Sequence, residues 1–102
     1  MMVTKRQQFD SELGKLRSGL IEMGEEVQRA IANAVRSLKE SDLELARSVV
    51  AHDPHINTME ENIVETGTQL IATQQPVAKD LRRILIAFRM ASDLERMADL
   101  AV

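Results

Sequence analysis

Residues 9–38 read FDSELGKLRSGLIEMGEEVQRAIANAVRSL, and their apolar side chains recur in steps of four and three residues. The repeat comprises Phe9, Leu13, Leu16, Leu20, Met23, Val27, Ile31, Ala34 and Leu38. This spacing places one apolar line along an α-helix and is typical of helices that pack side by side in bundles. Gly14, Gly19 and Gly24 interrupt the segment, and each costs about 1 kcal/mol of helix stability relative to alanine. A long helix from about Lys5 to Lys39 is therefore predicted, and its stability depends on tertiary packing.

A second and a third helix are predicted downstream of two short turns. The first turn begins at Ser41, three residues before Glu44, which is the spacing of a capping box at a helix start. Pro54 lies inside the second helix, and because proline removes a backbone hydrogen bond, we expect a kink or a break there. The second turn covers residues 72–76, and Pro76 suits the first turn of the third helix.

The third helix runs from Pro76 to the end of the sequence. One of its faces carries Val77, Leu81, Ile84, Leu85, Phe88 and Ala91. No stretch alternates like a strand, so the fold class is predicted as all-α, a three-helix bundle in a single domain over residues 1–102. Because the helical pattern reaches Val102 without a glycine cap, the domain is expected to be truncated at its C-terminus. Self-association is expected, since a bundle this small gains stability by burying more apolar surface.

Composition excludes several classes of protein. Without cysteine, the chain cannot form a disulfide, a thiolate metal site or a cysteine nucleophile, which is consistent with a reducing cytoplasm. The net charge of −3 and the low aromatic content of 2% disfavour a surface that binds nucleic acid. No apolar run approaches the roughly 20 residues that span a bilayer, and residues 1–10 lack a signal-peptide core.

Two carboxylates continue the apolar face of the third helix. At about 100° per residue, Glu95 and Asp99 fall on the same line as Val77 and Ala91. Acids one turn apart repel each other, and a core line is a costly place for them without a cation. Carboxylate oxygens suit Mg²⁺, Ca²⁺, Mn²⁺ or iron, so the pair is a candidate metal site. Two alternatives stay open: the acids face water beyond the bundle, or an arginine such as Arg96 pairs with them.

The flanks of the third helix carry further charges. Asp93 lies roughly 160° from the apolar line, on the expected solvent face, where Arg89 or Arg96 can pair with it. Arg82, Arg89 and Arg96 recur every seven residues and are called the basic stripe below. The basic stripe is interpreted either as a solvated face balanced by Asp80 and Asp93 or as a surface for an anionic partner.

Catalytic motifs are lacking in the sequence. His52 and His55 flank Pro54 and are interpreted as surface residues at a kink rather than ligands that share a metal with Asp53. A ferritin-like di-iron site needs Glu-x-x-His pairs, and the third helix contains no histidine. No nucleophile elbow, phosphate loop or His-Glu-x-x-His motif occurs, so the chain is not predicted to be an enzyme.

Two stretches of the third helix resemble the PhoU family of phosphate-transport regulators. They are residues 74–84, QQPVAKDLRRI, and residues 92–99, SDLERMAD; residues 9–20 and 41–46 are similar to the first two helices of that family. The resemblance implies two tandem three-helix bundles, of which this chain matches the first. It also implies that the bundle packs against a second bundle or against another copy.

The resemblance also implies a metal site. PhoU-like bundles carry a Glu/Asp-x-x-x-Asp motif that holds iron or other metal clusters, and here the motif matches Glu95 and Asp99. Asp93 matches a neighbouring acidic position. The implied cofactor is a metal ion: iron, manganese or zinc. The chain departs from the family pattern at Ala98, where glycine is usual, and at Asn57, where aspartate is usual.

By the same resemblance, the chain is expected to be a non-enzymatic negative regulator of phosphate uptake and phosphate-starvation signalling. The implied partners are the ATPase of a phosphate ABC transporter and a sensor histidine kinase, met in the cytoplasm without membrane insertion or nucleic acid. The basic stripe is a candidate contact surface, and a homodimer or higher homo-oligomer is expected. The alternative is a metal-free helical module for interaction or oligomerisation.

Overall fold

The computed structural model describes residues 4–101, which form three helices. They are α1 (Lys5–Glu40), α2 (Leu43–Gln74) and α3 (Ala78–Ala101). Each helix packs against the other two, and no strand occurs within the described residues. The predicted all-α three-helix bundle is confirmed. No helix in residues 4–101 combines the length and the apolar character needed to cross a membrane.

The turn between α1 and α2 differs from its prediction. Ser41 ends α1 in a left-handed backbone conformation with φ of 51°. The Asp42 carboxylate then caps α2 by accepting a hydrogen bond from the Leu45 N–H at 3.1 Å. The predicted capping box of Ser41 and Glu44 is therefore wrong, because Ser41 terminates the preceding helix and the aspartate after it provides the cap.

Pro54 lies inside α2 without ending it. The helix is continuous from Leu43 to Gln74, so of the two expected outcomes, a kink or a break, the break does not occur. Val49 and Ile56, on either side of the proline, are both buried in the same core. This packing stabilises the helix across Pro54 and offsets the backbone hydrogen bond that proline cannot donate.

Pro76 lies in the turn before α3 rather than in the first turn of the helix. Gln75 ends α2 in a left-handed conformation with φ of 42°, and α3 begins at Ala78. The Leu81 N–H donates to the Val77 carbonyl at 2.9 Å, which places Val77 at the helix cap. The proline therefore shapes the turn and lies outside the helix.

The core forms where the apolar lines of the three helices meet. Its largest fully buried side chains are Met23, Val27, Ile56 and Ile84. The predicted line of α1 enters this core from Phe9 to Val27; further on, Ala34 still packs against the core, whereas Ile31 and Leu38 are exposed. The C-terminal part of α1 therefore presents apolar side chains to the surface.

The buried face of α3 is rotated relative to the predicted one. Val77 and Leu85, both predicted inside, are 68% and 51% exposed. The buried residues of α3 are Ile84 and Ala91, both predicted inside, together with Asp80, Ala87 and Ala98, which were not. Three of them are alanines, whose small side chains allow α3 to approach α1 and α2 closely while the longer apolar side chains remain outside.

Candidate functional site

Four carboxylates of α2 and α3 are called the acidic cluster, because the charges of the other three act on Glu95: Asp53, Glu60, Glu95 and Asp99. Glu95 is half-buried, and Asp99 lies one turn further along α3. Burial is the largest cause of a raised pKa at Glu95, followed by the hydrogen bond and charge of Asp99 and then by the charges of Glu60 and Asp53. The fold thus concentrates negative charge around a partly desolvated carboxyl group.

Asp53 gives the clearest sign that the acidic cluster needs a further partner. Its Oδ1 atom is buried and makes no hydrogen bond within the described residues. In the same part of the chain, no lysine or arginine lies within salt-bridge distance of any member of the cluster. A buried carboxylate oxygen requires a proton, a water molecule or a cation as its partner.

The acidic cluster has the donor chemistry of a metal site, but its side chains are not preassembled. Carboxylate oxygens on neighbouring helices are the ligands that hard cations take. Within residues 4–101, however, no three His, Asp or Glu side chains converge on one point. Asp99 is exposed, so it can rotate towards Glu95 and Asp53 with little steric resistance. A metal site at this cluster would therefore require its side chains to rearrange.

The other predicted site residues lie apart from the acidic cluster. Asp93 is exposed and has Arg96 at 3.7 Å, so the structure does not bring it to Glu95 and Asp99. Arg82, Arg89 and Arg96 are all exposed on α3. An exposed ion pair such as Asp93–Arg96 contributes little to stability.

The sequence prediction included Glu95 and Asp99 but did not assign Asp53 and Glu60 to the same cluster. Asp53 and Glu60 are seven residues apart, which places them on one face of a continuous helix. That spacing is visible in the sequence. It places both residues on one face only if the helix continues through Pro54, where a kink or a break was expected. The continuity of α2 is what brings both acids to the face that meets α3.

Comparison with known proteins identifies the family. Residues 20–102, most of the chain, match the family described as "PhoU domain". The chain belongs to the PhoU family. The resemblance read from the sequence is thereby confirmed.

Curated PhoU relatives are similar to nearly the whole chain. A phosphate-specific transport system accessory protein PhoU homolog of Rhizobium meliloti (strain 1021) is 42% identical over 92 residues, 90% of this chain and 39% of the relative. The homolog of Pseudomonas putida is 43% identical over 93 residues, 91% of this chain and 36% of the relative. The phosphate-specific transport system accessory protein PhoU of Escherichia coli (strain K12) is 34% identical over 94 residues, which cover 92% of this chain and 39% of the relative. The chain spans about two fifths of the length of these relatives.

Asp80 of this PhoU chain was placed wrongly from the sequence. Asp80, expected on the solvated face of the third helix, is 4% exposed. Its Oδ2 accepts a hydrogen bond from Arg6 Nη1 at 2.7 Å, and Arg83 lies 3.6 Å from Oδ1. The hydrogen bond with Asp80 is the largest cause of a raised pKa at Arg6. The Arg6–Asp80 hydrogen bond therefore connects the start of α1 to the start of α3. Because Asp80 is buried, it does not balance the charges of the basic stripe on the surface.

A second polar contact joins α1 to α2 in the PhoU bundle. His52 Nε2 lies 2.7 Å from Glu26 Oε2, and Arg29 donates to the other oxygen of the same carboxylate. The hydrogen bond with His52 is the largest cause of a lowered pKa at Glu26. The rings of His52 and His55 lie 5.0 Å apart. His52 is thus a partly exposed link between two helices.

Proposed function

We propose that this chain contributes to a regulator of phosphate uptake and phosphate-starvation signalling that acts by protein contact rather than by catalysis. The observation that carries the proposal is the PhoU-domain match over residues 20–102, since its relatives are named as accessory proteins of a phosphate-specific transport system. The similarity extends over about nine tenths of the chain. Every helix of the bundle therefore falls within the region that supports the proposal.

The proposed partners are the ATPase subunit of a phosphate ABC transporter and its sensor histidine kinase, met in the cytoplasm. Contact with the chain would restrain the transporter and report phosphate sufficiency, which is negative regulation. The basic stripe is the proposed contact surface. Arg82 and Arg89 are exposed and form no salt bridge within the described residues, so their charges remain available to an acidic partner face.

Binding to the transporter ATPase tests this proposal directly. We expect the purified chain to bind the purified ATPase subunit from the same organism, and Arg82→Ser/Arg89→Ser to weaken binding by more than about tenfold. Isothermal titration calorimetry at two salt concentrations measures both the affinity and its electrostatic component. Arg36→Ser/Arg47→Ser removes the same charge from other exposed positions and should leave the affinity unchanged.

Two results would count against this proposal. If the wild-type chain bound neither the ATPase nor the kinase, the regulatory proposal would fail. If both double variants lost affinity equally, the contribution would be one of net charge, and the basic stripe would not be the contact surface.

We further propose that the acidic cluster holds iron, manganese or zinc. Glu95 and Asp99 would bind the ion together with Asp53, whose buried oxygen lacks a partner in the described residues. When bound, the ion would supply the positive charge that the cluster lacks. Asp93 is left out of this set because it faces Arg96 on the exposed side of α3.

Glu95→Gln/Asp99→Asn is expected to abolish metal binding while leaving the fold intact. The pKa of Glu95 is raised above its ordinary value of 4.5 in the folded chain, so its ionisation lowers stability as pH rises through that window. At neutral pH the metal-free variant should therefore be at least as stable as the metal-free wild type. Metal per chain, measured by mass spectrometry after purification without chelator, and the rise in Tm on adding each ion are the two readouts.

Asp93→Asn is the matched control for the metal test, since it removes a carboxylate from the same helix outside the cluster. It should retain the metal content and the thermal shift of the wild type. Equal metal content in Glu95→Gln/Asp99→Asn and wild type would contradict the assignment. So would a wild-type chain whose Tm responds to none of the three ions.

A metal-free helical module for interaction or oligomerisation is the alternative function. The observation that favours it is the set of large apolar side chains exposed along α1 and α3, among them Leu38 and Leu100 at 83% and 87% exposure. On the same ground, and under either function, we propose that the chain self-associates as a homodimer or a higher oligomer.

A further inference from the structure

Two exposed histidines of α2, His52 and His55, are called the histidine pair. They are three residues apart, and residues at this spacing are neighbours on the surface of a continuous helix. We propose that the histidine pair is a copper(II) site, with Glu26 of α1 as the carboxylate that orients His52. This site is separate from the acidic cluster, and it does not depend on the proposed role in phosphate regulation.

The continuity of α2 gives the histidine pair a defined geometry. A helix break at Pro54 would leave the two rings without a fixed relation, and the expected kink or break is why the sequence favoured surface residues over metal ligands. In the structure, α2 is one helix from Leu43 to Gln74. Val49 and Ile56, on either side of the proline, are buried in the same core. Both histidines therefore project from one packed helix.

The distance between the two rings agrees with a shared ion. The ring centres of His52 and His55 lie 5.0 Å apart, and the ring planes are tilted by 53° rather than stacked. A metal–imidazole bond is about 2.0–2.1 Å long, so two imidazoles in neighbouring positions on one ion have ring centres about 4.5–5.2 Å apart. The metal-free chain thus already holds the rings at the spacing that a common ion requires.

Glu26 determines which ring nitrogen of His52 is left for a metal. His52 Nε2 lies 2.7 Å from Glu26 Oε2. The hydrogen bond with His52 is the largest cause of a lowered pKa at Glu26, so the carboxylate is ionised at neutral pH and can only accept a hydrogen bond. The shared proton is therefore carried by Nε2. A neutral His52 then keeps its lone pair on Nδ1, which is the nitrogen that can bind a metal.

The contact between Glu26 and His52 is an arrangement that metal-binding histidines commonly use. A ligating imidazole usually donates its other N–H to a carboxylate, which fixes the ring and makes the ligating nitrogen more basic. Arg29 donates to the second oxygen of Glu26 and so holds the carboxylate in turn. These contacts join α1 to α2 and position the first ligand in the metal-free chain.

Imidazole ligands select a different ion from those proposed for the acidic cluster. Carboxylates suit Mn²⁺, whereas imidazoles suit copper, and Cu²⁺ binds a given site more tightly than the other divalent ions of its series. Two protein ligands leave the other positions of a tetragonal Cu²⁺ ion to water. A two-histidine site also agrees with the lack of three converging His, Asp or Glu side chains in the part of the chain that the structure describes.

Copper at the histidine pair would link the two sides of Pro54. The proline removes one backbone hydrogen bond from α2, and the two histidines lie on either side of it in the sequence. An ion held by both side chains would hold these two parts of the helix together. Because the folded chain binds the ion and the unfolded chain lacks this geometry, Cu²⁺ should raise the Tm.

Copper titration of the wild-type chain without an affinity tag tests the site. We expect Cu²⁺ to raise the Tm and to give an electron paramagnetic resonance spectrum with hyperfine coupling to histidine nitrogen. His55→Ala removes one ligand from an exposed position and should weaken Cu²⁺ binding by more than about tenfold. Glu95→Gln/Asp99→Asn, which removes carboxylates of the acidic cluster, should leave the Cu²⁺ affinity unchanged. Circular dichroism verifies that each variant is folded.

Glu26→Gln tests the positioning role of the carboxylate. It should weaken Cu²⁺ binding by about tenfold or more without removing the nitrogen coupling, since the carboxylate partner of a ligating histidine typically contributes about 10–100-fold in affinity. Glu12→Gln is the matched control. It removes the same charge from α1, at a carboxylate that accepts a hydrogen bond from Lys15 at 2.8 Å, and should leave the affinity unchanged.

Three results would overturn the proposal in whole or in part. An unchanged Cu²⁺ affinity in His55→Ala, or a spectrum without histidine nitrogen, would show that the histidine pair does not bind copper. A loss of affinity in Glu95→Gln/Asp99→Asn as large as that in His55→Ala would contradict a site separate from the acidic cluster. Equal losses in Glu26→Gln and Glu12→Gln would reduce the contribution of Glu26 to its charge and overturn its positioning role.

Discussion

Replacing Gly67 with alanine is expected to lower the free energy of unfolding by about 2 kcal/mol. Gly67 is buried in α2 where it meets α3. A Cβ at this position would lie 2.6 Å from Cζ of Phe88 and 3.1 Å from Cγ2 of Ile84, distances at which the neighbours must move. Overpacking of this kind costs about 1–3 kcal/mol, which the higher helix propensity of alanine offsets only in part. Thermal and urea unfolding measure the change.

The same substitution at Gly14 is the matched control. A Cβ there would have no atom within 4 Å, so Gly14→Ala should stabilise the chain by about 0.5–1 kcal/mol through helix propensity alone. Phe88→Leu in the Gly67→Ala background should recover part of the lost stability, because it removes ring atoms from the occupied space. A Gly67→Ala variant as stable as the wild type would show that α2 and α3 are further apart than described.

The local pattern of the sequence was sufficient to predict α1 and the fold class. The four-and-three spacing from Phe9 to Val27 describes side chains that are buried or half-buried. Helical periodicity is a short-range property, and a long regular repeat specifies it strongly. The fold class follows because three such segments joined by short turns must cover one another's apolar faces.

The orientation of α3 was not predictable from the same pattern. Helical-wheel reasoning gives most weight to large apolar residues, and Leu85 carried as much weight as Ile84. The bundle leaves Leu85 exposed and buries Ala87 and Ala98, which were not predicted, beside Ile84 and Ala91, which were, because close approach of helix backbones favours small side chains. Which face of α3 is buried depends on the helices that pack against it, and the sequence of α3 alone does not specify their positions.

The acidic site was predictable only within one helix. The spacing of Glu95 and Asp99 is local and was recognised. The contribution of Asp53 and Glu60 depends on how α2 is registered against α3, and on α2 remaining helical through Pro54. Both depend on tertiary packing, so they become visible only in the folded chain.

Replacing Arg6 with methionine is expected to lower the free energy of unfolding by more than breaking an exposed ion pair such as Arg36–Glu40 does. Asp80 is almost fully buried, and Arg6 donates the 2.7 Å hydrogen bond to it from a position that is 61% exposed. Methionine keeps apolar contact beside Phe9, over which the Arg6 guanidinium lies at 5.3 Å. Among the described residues, the buried carboxylate is then left with Arg83, 3.6 Å away, as its cationic neighbour. A buried charge deprived of its partner costs more than the pair contributes. Urea unfolding at neutral pH measures the loss.

Arg6 is largely exposed and Asp80 is buried, so we expect the loss of Arg6 alone to cost more stability than the loss of both side chains. Asp80→Leu leaves Arg6 free to be hydrated, so Arg6→Met/Asp80→Leu should be more stable than Arg6→Met alone. Arg36→Met breaks the exposed pair with Glu40 at 3.5 Å and should change stability by less than about 0.5 kcal/mol. If Arg6→Met cost no more than Arg36→Met, Asp80 would be hydrated in solution, and the link between the starts of α1 and α3 would be absent.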